Sequence, residues 1–305
     1  MSAKIVAFLN FKGGVGKTAN VVNLGASLSY IRKKRVLVVD LDPQCNATYW
    51  LLRRPEFERL TDSAREESGV QHTTYQIFQD AIQGISRFKP KNAIIQGVPR
   101  SESGTELIPL LHLLPGAVDL LDIEFAVTHK IAERFRPSLR QALAPFAENY
   151  DYILLDCPPN LYHVAQTAIL AAQHIVVPYN PDYLSLSGFR ILCCHLKKLE
   201  DAFQSIRPKF KRNQVCALIV NRYQKVGVPY TAAISELKSQ IDVLKQNGLV
   251  HPKCEMLEPP IRQDVRIAES TSEHKPIIIH DADCNGSKDY CELADAFTRH
   301  FEENL

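Results

Sequence analysis

One glycine-rich stretch near the start of this 305-residue chain constrains its fold more than any other feature. Residues 10–18 read Asn-Phe-Lys-Gly-Gly-Val-Gly-Lys-Thr. A short apolar run, Ile5 to Leu9, precedes them, and Ala19 to Tyr30 follows with apolar residues at helical spacing. Strand, glycine loop and helix in this order are typical of a phosphate-binding loop, because glycines let backbone N–H groups approach an anion at a helix N-terminus.

The loop departs from the usual spacing, Gly-x4-Gly-Lys-Ser/Thr, because Phe11 stands at the first glycine position. A second lysine, Lys12, comes directly before the glycine pair. In the general pattern, Lys17 holds the β- and γ-phosphates and the Thr18 hydroxyl ligates Mg²⁺. The alternative interpretation is a glycine-rich turn with two solvated lysines. The strand and helix patterns on either side favour the phosphate loop.

Alternating patterns along the chain predict the fold class. Near-continuous apolar runs predict further buried strands at 35–40, 107–114, 150–156, 174–179 and 215–220, with helical patterns between them. Such strands belong to a parallel sheet that helices cover on both faces. We therefore expect an α/β fold, a single doubly wound and mainly parallel sheet, in one domain over residues 1–305. A mixed-charge insertion around residues 53–72 is expected to be either a surface helix or a mobile segment.

Two of these predicted strands end in aspartates. The first runs into Asp40-Leu41-Asp42-Pro43, and the second into Asp156-Cys157-Pro158-Pro159. Ligands of open α/β sheets bind at the carboxyl ends of the strands, so these carboxylates are expected to face the glycine loop. An apolar strand that closes on aspartate is a Walker B pattern, in which Asp156 contacts Mg²⁺ through water. The alternative at the first site is a turn that simply ends a strand.

Taken together, the motifs resemble those of the ParA/MinD family of deviant Walker A ATPases, and most of all the ParA/Soj-type DNA-partitioning ATPases. The resemblance rests on Lys-Gly-Gly-x-Gly-Lys-Thr at 12–18, a switch I-like stretch at 40–48, Asp-Cys-Pro-Pro at 156–159 and a strand-end Asn221. It extends over nearly the whole chain.

Two departures from the family pattern stand out. Cys45 occupies a position where the family usually has glycine. Because cysteine has a Cβ atom, the switch I backbone can adopt fewer conformations there. The Ile-Pro-Arg-Asn stretch of the family is altered at 261–264, so the resemblance implies no nucleotide contacts there.

The resemblance implies ATP and Mg²⁺ as cofactors and a role for each motif residue. The implied catalytic residues are Lys12, Lys17 and Asp42, with Asp42 orienting the attacking water and Lys12 reaching the nucleotide of a partner subunit. The implied metal-site residues are Thr18, Asp40 and Asp156. The implied ATP-binding residues are Lys12, Gly13, Gly14, Val15, Gly16, Lys17, Thr18, Ala19 and Asn221, the last of which bonds the adenine.

The resemblance also implies partners. It implies a homodimer with ATP sandwiched between the subunits, a slow hydrolysis that dissolves the dimer, and a ParB-like centromere-binding protein that stimulates it. A basic cluster is expected to bind DNA without sequence preference in a cytoplasmic, nucleoid-associated protein. Its residues are Arg190, Lys197, Lys198, Arg207, Lys209, Lys211 and Arg212. The alternative is a solvated, lysine-rich helix and loop.

Composition bears on the partners of the protein, the state of its cysteines and the presence of membrane or signal segments. The net charge of +2 indicates no partner by itself. The eight cysteines lack C-x-x-C spacing, which predicts reduced, packed thiols rather than metal ligands. No apolar run approaches the roughly 18 residues that span a bilayer, and the early first strand predicts no signal peptide.

Three alternative functions stay open. A MinD-like membrane regulator needs a basic amphipathic C-terminal helix, whereas residues 298–305 are short and acidic. An electron-transfer ATPase that resembles nitrogenase iron protein needs cysteines placed to share a cluster, and no convincing pair is evident. Positioning of a protein cargo would use the same ATPase cycle.

Overall fold

The computed structural model describes residues 3–67, 70–206, 214–224 and 228–305. Within these ranges, seven strands form one sheet in which every pairing is parallel. The strands are β1 (Lys4–Phe8), β2 (Val36–Asp40), β3 (Leu111–Leu114), β4 (Tyr152–Asp156), β5 (His174–Tyr179), β6 (Val215–Val220) and β7 (Glu255–Leu257). Their spatial order, β3-β2-β4-β1-β5-β6-β7, confirms the predicted doubly wound α/β sheet.

The helices lie on both faces of this sheet. They are α1 (Lys17–Tyr30), α2 (Asn46–Leu51), α3 (Arg54–Glu67), α4 (Thr74–Gln83), α5 (Pro90–Ala93), α6 (Leu120–Ala126), α7 (His129–Phe135), α8 (Ser138–Leu143), α9 (His163–Ala171), α10 (Tyr183–Ile206), α11 (Val228–Gln246), α12 (Val265–Ser272), α13 (Ile277–His280) and α14 (Asn285–Arg299). A 3₁₀ helix covers Ala144–Asn149, and a π-helical turn covers His300–Asn304.

The central strand β1 divides the core into two layers, because successive side chains of a strand point to opposite faces. Ile5 and Ala7 are buried in one layer, with the inner faces of α9 and α10. Val6 and Phe8 are buried in the other layer, with α1 and α14. Both faces of the sheet are therefore covered, which explains the near-continuous apolar runs of its strands.

The structure corrects some predicted boundaries. The apolar run 107–114 forms a strand only from Leu111, because Pro109 lacks an N–H group and Leu111 N donates to Ile108 O (3.0 Å) in a turn. The mixed-charge segment contains helix α3, which agrees with the surface-helix alternative. Strand β7 has only three residues, too few for an apolar pattern to reveal. Of the helices in the described ranges, none is both long and apolar enough to cross a membrane.

Candidate functional site

The strand register brings the predicted acidic residues together at the carboxyl edge of the sheet. In the pairing of β1 with β4, Phe8 lies opposite Asp156, and in the pairing of β2 with β4, Asp40 lies opposite the same Asp156. The glycine loop leaves β1 at this edge and runs directly into α1. The loop and the two strand-end aspartates therefore share one site, as the sequence predicts.

The loop has the tight backbone that its glycines permit. Gly14 and Gly16 have φ angles of 70° and 90°, in the left-handed region that disfavours a Cβ atom. A Cβ atom on Gly16 would also lie 3.0 Å from the side-chain nitrogen of Asn221. Asn221 Nδ2 donates to Val15 O (2.9 Å) and thereby holds the loop against the end of β6. Its bond to adenine stays a prediction.

Thr18 and Asp156 form a pair of oxygen ligands that suits Mg²⁺. Thr18 Oγ1 donates to Asp156 Oδ2 (2.8 Å), whereas the buried Asp156 Oδ1 accepts no hydrogen bond from the described part of the chain. Burial and then the charge of Asp40 raise the pKa of Asp156 well above its usual range, although the Thr18 hydroxyl opposes the shift. A divalent cation would compensate this buried charge, so the residues present fit a magnesium ion.

Asp40 is fully engaged by the switch I segment. Its Oδ2 accepts from Thr48 N (2.9 Å) and Thr48 Oγ1 (2.7 Å), and its Oδ1 accepts from Asp42 N (3.1 Å). Burial raises the pKa of Asp40 to about 6, with the Thr48 bonds opposing it. In this structure Asp40 therefore holds the backbone that carries Asp42, and its part in the metal shell stays a prediction.

Asp42 lies beside the loop and lines the cleft in front of it. Its Oδ1 accepts from Gln44 N (2.9 Å). Burial raises the pKa of Asp42, while the bond from Gln44 and the charge of Lys17 lower it. A carboxylate at this position can accept a proton or orient a water molecule.

Lys17 has a buried side chain at the base of the loop, 7 % exposed. Its Nζ donates a long bond to Lys12 O (3.5 Å). Burial lowers the pKa of Lys17, and the carboxylates of Asp156 and Asp42 oppose that shift. A buried ammonium group between carboxylates and an anion-binding loop is placed to hold phosphate oxygens.

Lys12 points away from the cleft and onto the start of α10. Its Nζ donates to Asp182 Oδ2 (2.8 Å), Asp182 Oδ1 (3.1 Å) and Ser185 Oγ (3.0 Å). Burial of Asp182 would raise its pKa, but the bonds from Lys12 and Ser185 outweigh burial and lower it. In the single chain, Lys12 is therefore bound internally, and its reach into a partner subunit stays a prediction.

The cleft in front of the loop has a volume of about 760 Å³ and includes a wall that the sequence did not assign to the site. Arg262 forms a close ion pair with Asp289 of α14 (2.6 Å), and Asp264 accepts from Gly286 N (2.9 Å). These bonds anchor the altered 261–264 stretch beside the loop. The added wall residues are Arg222, Ile261, Arg262, Gln263, Asp264, Val265, Ile267, Ala268, Thr271 and Tyr290.

The predicted DNA-binding cluster is only partly within the described ranges. Arg190 and Lys198 are exposed on α10, and Lys197 pairs with Asp201 one turn away (2.8 Å). The other four predicted residues, Arg207, Lys209, Lys211 and Arg212, lie outside the described residues. None of the eight cysteines forms a disulfide in the structure.

The chain is similar to one family model and to several known proteins. Residues 3–211 match the family model described as an AAA domain. The sporulation initiation inhibitor protein Soj of Bacillus subtilis is 29% identical over 95% of this chain and 96% of its own length. The chromosome partitioning protein ParA of Myxococcus xanthus is 28% identical over 95% of this chain and 86% of its own length.

Solved structures show the same fold. Cobyrinic acid a,c-diamide synthase of Mycobacterium smegmatis, with a bound ATP analogue and magnesium, has a TM-score of 0.63 at 22% identity and covers 99% of this chain and 97% of its own. The cell division ATPase MinD of Pyrococcus furiosus has a TM-score of 0.63 at 21% identity and covers 97% and 99%. The chain therefore belongs to the ParA/MinD family of P-loop ATPases.

Proposed function

We propose that this protein is a Mg²⁺-ATP-dependent dimerising switch that binds DNA without sequence preference and drives the partitioning of plasmid or chromosomal DNA. The observation that carries the proposal is the group formed by the loop, the Thr18–Asp156 pair and Asp42 at one edge of the sheet. The name of the Myxococcus xanthus relative, chromosome partitioning protein ParA, supports the partitioning role.

The residues at the loop have different roles in phosphoryl transfer. Lys17 and the loop N–H groups hold the phosphates, and Asp42 orients the attacking water. Thr18 and Asp156 would hold Mg²⁺, which neutralises charge on the β- and γ-phosphates when it is bound. Such catalysis consists of positioning and charge neutralisation, and the bonds that Asp42 makes to Asp40 and Gln44 fix its position beside the loop.

Dimerisation uses Lys12 in this proposal. Lys12 leaves Asp182 and reaches the nucleotide of the second subunit, where its charge acts on the developing negative charge. The exposed pair it gives up is weak, since such pairs contribute about 0.2–1 kcal/mol. ATP then becomes part of the interface, and hydrolysis dissolves the dimer. A ParB-like protein is the proposed stimulator.

The DNA-binding part rests on the basic residues of α10 and the segment that follows it. Arg190 and Lys198 are exposed, and a dimer doubles the number of such contacts. Phosphate contacts release counterions, so each contacted phosphate adds roughly 0.9 to the log-log salt slope. This proposal places the protein on the nucleoid.

Gel shifts on two unrelated duplexes, with ATP and with ADP, test the proposed function. We expect wild-type protein to shift both duplexes with ATP, less so with ADP, and to lose the shift steeply as salt rises. Arg190→Glu together with Lys198→Glu should abolish the shift and leave ATP-driven dimerisation intact. Lys245→Glu together with Lys253→Glu reverses the same number of charges away from α10 and is the control for a general loss of positive charge.

The alternative is a MinD-like or cargo-positioning ATPase that acts on a membrane or a protein partner. A MinD cell division ATPase has the same fold as this chain. If wild-type protein with ATP fails to bind DNA but binds anionic liposomes, the proposed ligand is a membrane and not DNA. Binding to neither would make a protein cargo the leading function.

A further inference from the structure

Trp50, the single tryptophan of the chain, lies between switch I and the opposite wall of the cleft. It belongs to α2, the short helix that follows Asp42, and it is 6 % exposed. Its indole Nε1 donates to Lys275 O (3.0 Å), in the segment between α12 and α13. A buried tryptophan N–H group normally has such an acceptor. The acceptor here lies in a part of the chain that has no role in the proposed phosphoryl transfer.

A second hydrogen bond joins the same two elements. His274 Nδ1 donates to Tyr49 O (2.5 Å), so the proton of the imidazole ring is on Nδ1. His274 has a φ angle of 52°, in the left-handed region where glycine is the usual residue after a helix. The bond to Tyr49 gives a physical reason for a histidine at this position. We call the two bonds, Trp50 to Lys275 and His274 to Tyr49, the α2–α12 contact.

The two residues that meet α2 are a direct continuation of α12. Lys275 N donates to Ser270 O (3.2 Å), and His274 N donates to Thr271 O (3.2 Å). This pair of bonds, with a left-handed residue between the helix and the next segment, is a Schellman motif. The acceptor of the Trp50 bond is therefore fixed to the end of α12.

Helix α12 is itself held at both ends along the cleft. At its start, the N-cap Asp264 accepts from Arg266 N (2.9 Å). Just beyond its end, Ile277 N donates to Asn23 Oδ1 (2.7 Å), a buried side chain of α1. The α2–α12 contact thus connects switch I to a fixed wall of the cleft. The residues of α12 that line the cleft are Val265, Ile267, Ala268 and Thr271.

Helix α2 carries the switch I residues at its other end. Cys45, its N-cap, donates from N to Asp42 O (2.8 Å), and Gln44 N donates to Asp42 Oδ1 (2.9 Å). In its first half, Thr48 bonds Asp40 through both N and Oγ1. Without a second attachment, α2 could rotate about Thr48 and displace Asp42. The α2–α12 contact supplies that attachment at the C-terminal end of the helix.

We propose that Trp50 is a positioning residue for hydrolysis, whose indole N–H fixes α2 against α12 and thereby holds Asp42 where it orients the attacking water. The proposal deepens the proposed function and rests on it for the role of Asp42. A displacement of about 1 Å in such a group can lower a rate by about a hundredfold. Because the contact acts on the water and not on the bound phosphates, its loss should change kcat and leave ATP affinity unchanged.

Hydrolysis and binding by Trp50→Phe test the proposal, because phenylalanine keeps an aromatic ring but has no N–H group. We expect kcat at saturating Mg²⁺-ATP to fall by about threefold to tenfold, the range that the loss of one neutral hydrogen bond supports. The Kd of Mg²⁺-ATP, measured by calorimetry, should stay within about twofold of wild type. Wild-type kcat in Trp50→Phe, or a weaker Kd with unchanged kcat, would overturn the proposal.

Tyr150→Phe is the matched control. It also removes a hydrogen bond of a buried aromatic side chain, here to His112 Nδ1 (2.9 Å), but at the amino edge of the sheet, where β4 begins. We expect its kcat to equal that of wild type. An equal loss of kcat in Tyr150→Phe and Trp50→Phe would assign the effect to lower stability and overturn the positioning role.

His274→Gly separates positioning from stability in a second way. Glycine favours the left-handed backbone at this position, which offsets the lost bond to Tyr49. We expect the variant to unfold at nearly the same urea concentration as wild type and still to have a lower kcat, with unchanged Kd for Mg²⁺-ATP. A His274→Gly variant with wild-type kcat would contradict the α2–α12 contact as a determinant of turnover.

Hydrogen exchange tests the Trp50 bond without nucleotide, because the single tryptophan gives one indole N–H resonance in a ¹⁵N NMR spectrum. We expect this proton to exchange far more slowly than that of free tryptophan. Exchange as fast as in free tryptophan would overturn the proposal. Wild-type protein that binds no Mg²⁺-ATP would refute the proposed function, whatever the exchange rate of the indole. Wild-type protein that hydrolyses ATP no faster than Trp50→Phe would refute the positioning role alone.

Discussion

Cys45 shows how one side chain sets the backbone of switch I. It is buried, is the N-cap residue of helix α2 and has a φ angle of 53°, in the left-handed region that costs a residue with a Cβ atom about 1–2 kcal/mol. Its N–H donates to Asp42 O (2.8 Å), so this conformation is coupled to the catalytic candidate. The sequence analysis singled out this position because the family usually has glycine there. The structure shows that the backbone keeps the left-handed conformation that glycine favours, although the residue is cysteine.

Two variants separate backbone strain from side-chain packing at Cys45. Cys45→Ala and Cys45→Gly both remove the buried sulfur, but only glycine also relieves the left-handed backbone. We expect Cys45→Gly to exceed Cys45→Ala in free energy of unfolding by about 1 kcal/mol, measured by urea denaturation. A more stable Cys45→Ala would show that no strain is stored at this residue.

Asp42 is the residue on which hydrolysis depends in our account. We expect Asp42→Ala to keep Mg²⁺-ATP binding and to lower the rate of phosphate release by about a hundredfold or more, because it removes the group that orients water. Light scattering should then show an ATP dimer that accumulates. An unchanged hydrolysis rate would move the catalytic role to another residue.

At the scale of elements, α10 connects the phosphate loop to the predicted DNA-binding residues. Asp182 precedes the helix and accepts from Ser185 N (2.9 Å), which is an N-cap bond, and the same carboxylate holds Lys12. Release of Lys12 would therefore change the charge balance at the start of the helix that carries Arg190 and Lys198. Through Asp182, the phosphate loop is in contact with the helix that carries the proposed DNA-binding residues.

Asp182→Asn isolates the ion pair, because asparagine retains the N-cap but loses the charge that holds Lys12. We expect the variant to dimerise with ATP at protein concentrations lower by at most about thirtyfold, since a dimer releases two exposed pairs, one from each subunit, and each contributes up to about 1 kcal/mol. Asp182→Ala, which also loses the cap, should destabilise the fold by about 1 kcal/mol. Sedimentation velocity checks dimerisation; weaker dimerisation by Asp182→Asn would contradict this role of the pair.

Elements that a local residue pattern marks could be predicted from the sequence. Features that depend on contacts between distant parts of the chain could not. Strand ends at Asp40 and Asp156 follow from apolar runs that close on a carboxylate. The wall around Arg262 and Asp264 depends on bonds to α14, more than 20 residues away in sequence, which no local pattern reveals. The contact of Lys12 with Asp182 is equally long-range and could not be foreseen from the loop itself.

At the scale of the whole molecule, the sheet order explains why distant motifs meet. β1 lies between β4 and β5, and β4 lies between β1 and β2, so the loop, Asp40 and Asp156 emerge side by side although residue 156 is far along the chain. Alternating strands and helices were enough to predict this layered architecture. The strand order depends on long-range pairing, and neither the local patterns nor the family resemblance predicted it.

The central claim is that the loop binds Mg²⁺-ATP, and calorimetry with ATP, with and without Mg²⁺, tests it most directly. We expect wild-type protein to bind ATP in the presence of Mg²⁺. Lys17→Ala should weaken binding by at least about tenfold, because a hydrogen bond to a charged group contributes about 1.5–3 kcal/mol. Lys253→Ala, at an exposed position away from the site, is the control and should bind as wild type does. Equal ATP binding by wild type and Lys17→Ala would contradict the account.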